Sequence, residues 1–324
     1  MANPEATDTL PAWVFPGQGS QKVGMGRAWA ERHPEARAAF EEADDRLGFA
    51  LSTLCWEGPE EELRRTANTQ PALLATSVAI LRVLEAAGAR PAAAAGHSLG
   101  EYSALVAAGA LDYGDALALV RRRGELMQEA VPEGEGAMAA ILGLDAAAVQ
   151  EVAAEAAGGQ ICAVANFNAP GQTVIAGHAP AVERAIALAG ARGARKAVRL
   201  PVSAPFHTPL MRPAREAMAE LLAGTRFEDP AFPVVVNADA VPVTSGEAAR
   251  DALVRQIDSP VRWVESIERM AGELRIESFV EVGPGKVLCA LIRRIAPGSV
   301  QASLDEPDAL AELLDRHSPT LDGD

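Results

Sequence analysis

Residues 91–111 read PAAAAGHSLGEYSALVAAGAL, and the fold turns on how that stretch is divided. Alanine is the best helix former, so propensity alone would start a helix at Pro91. Yet Gly96-His97-Ser98-Leu99-Gly100 matches G-x-S-x-G. In that pattern a serine sits on a sharp strand-to-helix turn, with glycines allowing close packing. The residues that follow make a good helix. The alanine run before Gly96 is then read as a short buried strand of a parallel sheet, where apolar residues run continuously instead of alternating.

Short apolar runs and helices alternate on either side. Trp13-Val14-Phe15 reads as a strand leading into the loop Pro16-Gly17-Gln18-Gly19-Ser20. Helices are expected near 26–46, with a break at His33-Pro34, near 59–66, from Pro71 to Gly88, and near 113–130. The middle reads differently: strand 137–142, helix 145–156, strands 161–166 and 172–177 around the turn Asn168-Ala169-Pro170-Gly171, helix 180–191, strand 196–200. Strand, helix, strand, strand, helix, strand is the split ferredoxin-like order. Beyond it come a helix from Pro209, a strand at 233–237, helices near 247–256 and 261–271, a strand at 278–282 and a helix to about 295. The expected architecture is α/β: a large α/β-hydrolase-like subdomain with a mainly parallel sheet (1–131 and 204–324), plus an inserted small ferredoxin-like subdomain (132–203). The site should lie at the carboxyl ends of the parallel strands, beside the insertion.

Composition narrows the function classes. The 324 residues carry a formal net charge of −15, which argues against a nucleic-acid partner. No run of about eighteen apolar residues occurs, so no membrane partner is expected. Met1 to Pro11 lacks the basic start and apolar stretch of a secretory signal, which makes the cytoplasm the expected location. Cys55, Cys162 and Cys289 are scattered without a CxxC pair, against a disulfide framework and against a metal site.

Ser98 is the candidate nucleophile. The helix behind it offers backbone N–H groups and a positive dipole end to the oxyanion formed when an acyl thioester is attacked. A serine needs a base. Of five histidines, His33, His178 and His317 read as surface residues, and the His97 ring should point away from the Ser98 side chain. His207, just before a helix at the subdomain junction, remains, although position alone does not single it out. Arg121-Arg122-Arg123 reads either as a solvated basic face or as the source of one buried guanidinium for an anionic acyl group. The 16–20 loop reads equally as a plain tight turn or as a second oxyanion donor.

Together these segments resemble the malonyl-CoA:acyl carrier protein transacylases and the related acyltransferase domains of polyketide synthases. The matching blocks are FPGQGSQKVGMG (15–26), TQPALLATSVA (69–79), GHSLGEYSALVAAGAL (96–111), RGELMQEAVPEGEGAMAAI (123–141), NFNAPGQTVIAG (166–177), PVSAPFH (201–207), DALVRQI (251–257) and EVGPGKVL (281–288). The resemblance implies Ser98 as nucleophile, His207 as base, and the backbone carbonyl of Gln256 as the group orienting it. It implies Arg123 as the malonyl-carboxylate grip, the backbone N–H groups of Gln18 and Leu99 as the oxyanion hole, and Asn166 and Asn168 as polar cleft residues. It implies Phe206 as a bulky residue favouring malonyl over methylmalonyl. It also implies malonyl-CoA as substrate, an acyl carrier protein with its phosphopantetheine thiol as partner, and no tightly bound cofactor. Arg192, Arg195, Lys196 and Arg199, with Lys286, Arg293 and Arg294, are candidate docking positions for that carrier. A discrete polyketide acyltransferase, a hydrolase-type thioesterase or esterase, and a non-catalytic carrier-binding protein are the alternatives.

Overall fold

The computed structural model describes residues 10–202 and 204–317. The expectations for Met1 to Thr9, Ser203 and the last seven residues lie outside the described residues, as does the His317 side chain. The strands, in chain order, are β1 (Ala12–Phe15), β2 (Ala93–Gly96), β3 (Gly136–Leu142), β4 (Cys162–Ala169), β5 (Gln172–His178), β6 (Lys196–Arg199), β7 (Val234–Val235), β8 (Pro242–Val243), β9 (Ser278–Glu281) and β10 (Val300–Ser303).

The alanine run is a strand. β2 pairs in parallel with β1, from Ala12↔Ala93 to Phe15↔Gly96, and with β7 on its other side. Helix preference over four residues amounts to about 2 kcal/mol. Against it, pairing lets Trp13, Val14 and Phe15 bury at about 1.5–3 kcal/mol each. Period-two alternation sorts the side chains: Ala12, Val14, Ala93 and Ala95 enter one apolar layer with Trp263 and Ile267, while Trp13, Phe15 and Ala94 enter the layer on the opposite face. Both faces are covered, so the small side chains of β2 let the layers close over it.

The larger sheet has the order β10-β9-β1-β2-β7-β8, parallel except for the β7–β8 hairpin. The smaller sheet is wholly antiparallel in the order β4-β5-β3-β6, with helices Ala146–Ala157 and Ala179–Ala191 packed on it over a separate core. That is the ferredoxin-like arrangement. The two sheets are stitched by the Val261 segment: Val261 N–H donates to the Ala165 carbonyl at 2.8 Å, and Phe167 N–H donates back to Val261 at 2.9 Å.

Several element limits differ from expectation. The expected four-residue turn at 168–171 shrinks to Pro170-Gly171, because bulges in β4 after Val164 and after Phe167 carry the strand on to Ala169. The helix expected to open at Pro71 starts at Thr66 and encloses the proline. Pro71 has no N–H for the carbonyl of Ala67, and Arg121 Nη1 donates to that carbonyl instead, at 3.1 Å. The helix expected from Pro209 begins with a 3₁₀ turn, Pro209–Met211, before Arg212–Ala223. Helices Leu51–Glu57 and Ala309–His317 and strands β8 and β10 were not anticipated. No helix of the described residues is long and apolar enough to cross a membrane.

Candidate active site

Ser98 sits at the carboxyl end of β2 with φ of 50°, in the left-handed region that an L-residue adopts only under constraint. The glycines around it have no room for a side chain. A Cβ on Gly96 would lie 1.9 Å from the Gly100 backbone, and one on Gly100 would lie 2.0 Å from the Phe15 carbonyl oxygen. The turn is therefore pressed into the end of β1. The 16–20 loop lies against it, where a Cβ on Gly17 would meet the His97 carbonyl at 2.3 Å.

His207 arrives from the other side of the insertion, in the loop between β6 and the Pro209 turn. It too has a left-handed backbone, at φ 59°, and its side chain is buried. The Ser98 hydroxyl and His207 Nε2 are 2.8 Å apart, and His207 Nδ1–H donates to the Gln256 carbonyl at 2.9 Å. Gln256 ends helix Gly246–Gln256, so this is one of the last-turn carbonyls that lack a partner within the helix. It lies at the negative end of the helix dipole and holds the ring in the tautomer that leaves Nε2 free to take a proton.

Burial drives the His207 pKa down to about 3, and the neighbouring Arg123 charge pushes in the same direction. The ring is then neutral, and able to act as a base, at any pH well above that value. The acid limb of kcat/KM, which reports the free enzyme, should therefore fall well below the ordinary histidine value of 6.5. A pH–rate profile from pH 4 to 9 that breaks near 6.5 would show that the ring is better solvated than its packing indicates.

Arg123 is 1% exposed. Its helix, Tyr113–Glu129, touches helix Thr66–Ala86 backbone to backbone: a Cβ on Gly124 would lie 2.7 Å from Ala67 Cα. That contact brings the guanidinium against Gln70. Nη1 donates to Gln70 Oε1 and Nη2 to Gln256 Oε1, both at 2.7 Å, and Nη2 also reaches Ser98 Oγ at 3.2 Å. No carboxylate is within ion-pairing distance of this buried cation among the described residues, and its hydrogen bonds run to neutral acceptors, which leaves its charge uncompensated. Its neighbours diverge from it: Arg121 binds the Ala67 carbonyl and Glu125, and Arg122 pairs with Glu125 at the surface.

Of the amides around the turn, Ser98 N–H donates to Asn237 Oδ1 at 2.6 Å and Gly100 N–H to the His97 carbonyl at 2.9 Å. The N–H groups of Leu99 and Gln18 have no partner among the described residues. Asn166, Asn168 and Phe206 line the same cleft of about 170 Å³, as does His97. His97 does not bond Ser98. Its Nε2 is 2.9 Å from Asn168 Oδ1, and its ring packs edge-on against Trp263. The cleft shares Gln18, Leu200 and Val202 with a wider groove of about 820 Å³ between the helices and the insertion.

Sequence reasoning did not single out Gln70, Asn237, Glu101 or the Gln256 side chain. That amide bridges Arg123 and the Ser98 carbonyl, to which Nε2 donates at 3.0 Å. Buried glutamines and asparagines carry no spacing signal of their own. The three cysteines are free and buried, and no cluster of metal-ligating side chains occurs among the described residues. Three of the seven basic docking candidates are already engaged: Arg192 with Glu151 and Glu155, Arg199 with Glu183, and Arg294 with Gln172 and the Pro170 carbonyl.

The chain is similar along nearly its whole length to known proteins. The acyl transferase domain family matches residues 12–304. The malonyl CoA-acyl carrier protein transacylase of Escherichia coli K12 is 53% identical over 305 residues, covering 94% of this chain and 98% of the relative. The solved malonyl CoA-acyl carrier protein transacylase of Coxiella burnetii superposes with a TM-score of 0.93 at 44% identity, over 96% of this chain and 99% of that one. A malonyl-transacylase solved in complex with its type II PKS acyl-carrier protein superposes with a TM-score of 0.92 at 49% identity, over 94% of this chain and 99% of that one.

Proposed function

The chain belongs to the acyl transferase domain family, and from that premise we propose that it transfers a malonyl group from malonyl-CoA to the phosphopantetheine thiol of an acyl carrier protein, through an acyl-Ser98 intermediate. The observation that carries the proposal is the contact of Ser98 Oγ with both a neutral imidazole and a buried guanidinium. The first makes the hydroxyl a nucleophile, and the second selects a charged acyl group.

The steps follow from the contacts. The malonyl carboxylate docks on Arg123, whose planar fork suits two carboxylate oxygens. Ser98 Oγ attacks the thioester carbonyl while His207 Nε2 takes the hydroxyl proton. The tetrahedral oxyanion lies on the uncommitted N–H groups of Leu99 and Gln18. Collapse breaks the C–S bond, and His207 returns its proton to the departing sulfur. CoA leaves by the wider groove, the carrier thiol enters, and the same steps run in reverse, which is a ping-pong sequence. The chemistry needs no metal or bound cofactor, because base, donors and charge are all supplied by the chain. Substrate binding also helps the base: a carboxylate on Arg123 offsets the smaller, charge-borne part of the His207 depression, the larger part being burial.

The hydrolase reading fits less well. His207 Nδ1 meets a backbone carbonyl, not the acidic third member expected of that class.

Replacing Arg123 tests the selectivity. Arg123→Ala removes a charge-assisted hydrogen bond of about 1.5–3 kcal/mol, so kcat/KM for malonyl-CoA should fall roughly 10- to 150-fold. Acetyl-CoA should lose far less. Steady-state assays with both thioesters measure the ratio, and equal losses for the two would remove the arginine from its assigned role.

A further inference from the structure

Behind the Ser98 turn lies a polar relay that the proposed chemistry does not use. Asn237, fully buried just after β7, holds the turn with both ends of its side chain. Its Oδ1 accepts Ser98 N–H at 2.6 Å, and its Nδ2 donates to the Gly96 carbonyl at 2.7 Å. The backbone of Asn237 is fixed in turn: its N–H donates to Glu101 Oε2 at 2.7 Å. Glu101 stands in the first turn of helix Gly100–Ala107, is fully buried, and forms no salt bridge among the described residues. Its other oxygen, Oε1, makes no well-aligned hydrogen bond to a described group, and the Gln256 side-chain amide and Arg123 lie close enough to favour its charged form.

Burial lifts the Glu101 pKa to about 7, against the pull of the Gln256 amide, the Asn237 N–H and Arg123, and a carboxyl group so costly to bury is held there by its contacts. Its well-aligned hydrogen bond among the described residues is to Asn237, the residue that grips the nucleophile's turn. The relay therefore runs Glu101, Asn237, Ser98, and closes on the helix that bears Glu101.

Resting on the reading of Ser98 as nucleophile, we infer that Asn237 and Glu101 are the positioning pair of this site. Asn237 holds Ser98 in its left-handed conformation and takes the Ser98 amide out of play. Leu99 N–H is thereby left as the donor that faces the oxyanion. Glu101 sets the position of Asn237. Neither residue lines the cleft or the wider groove, so their effect should fall on the chemical step and not on binding.

The test is rapid-mixing measurement of acyl-enzyme formation from malonyl-CoA, with KM and thermal unfolding recorded for each variant. Asn237→Ala should slow acylation by about 100-fold, the scale of a displaced reacting group, while KM stays within about threefold. Glu101→Leu removes the acceptor and should slow acylation at least about tenfold. Glu101→Gln keeps an acceptor for the Asn237 N–H and should recover most of that loss. A simple loss of packing would not separate Gln from Leu in rate while leaving KM in place. The inference is overturned if folded Asn237→Ala acylates within about threefold of the unaltered chain, or if Glu101→Gln is no better than Glu101→Leu. Should Asn237→Ala fail to fold, the two Glu101 variants decide alone. The unaltered chain is the control: if it takes up no malonyl group, the proposed function fails and not merely the pair.

Discussion

Ser98→Ala should lose transfer activity by roughly 10⁵- to 10⁶-fold, by analogy with serine triads in which the nucleophile is removed. The magnitude follows from the route and not from lost binding. With no hydroxyl there is no acyl-enzyme, and the only remaining path is direct attack by the carrier thiol, which the site is not arranged to align. Binding should be nearly unaffected. Arg123 keeps its bonds to Gln70 and Gln256, and the turn keeps its glycine contacts and its Asn237 clamp. Malonyl-CoA should therefore bind Ser98→Ala with a Kd close to that of the unaltered chain, measured by calorimetry, while radiolabelled malonyl transfer to carrier disappears. Transfer retained within tenfold would mean that the acyl group travels by another residue.

His207→Ala should cost on the order of 10⁴- to 10⁶-fold in the acylation rate, for a different reason. The hydroxyl is present but holds its proton, and the departing thiolate has no acid. Some acceleration over water should survive, because the Leu99 and Gln18 donors and Arg123 remain. The variant should also be less stable by about 1–3 kcal/mol, since the buried Gln256 carbonyl loses its donor. Single-turnover kinetics and denaturant unfolding separate the two effects. A His207→Ala protein that acylates within tenfold of the original rate would assign the base to another group, and the His97 ring in the same cleft is the nearest alternative.

What was legible in the sequence was whatever sterics or periodicity imposes locally. The G-x-S-x-G turn could be read because Gly96 and Gly100 pack where a Cβ cannot fit. The middle segment could be read because its strands and helices come in an order that builds one known unit. The helix start at Thr66 could not be read. It depends on Arg121, more than fifty residues away, satisfying the carbonyl that Pro71 leaves open. The same holds at the site. Ser98 carries a local signature, and His207 follows only by setting the other histidines aside and from the resemblance, but nothing local marks Asn237 or Gln70, whose importance comes from where the fold delivers them. Gln256 shows both sides. The resemblance pointed to its carbonyl, while its side chain, which ties Arg123 to the Ser98 backbone, became visible only with the chain folded.

Intact-mass spectrometry of the protein, mixed first with malonyl-CoA and then with holo acyl carrier protein, tests the central claim most directly. The chain should gain the mass of one malonyl group, map it by peptide fragmentation to Ser98, and lose it to the carrier on the second addition. An adduct on any other residue, or carrier malonylation with no malonyl-protein ever detected at early times, would contradict a Ser98 acyl-enzyme.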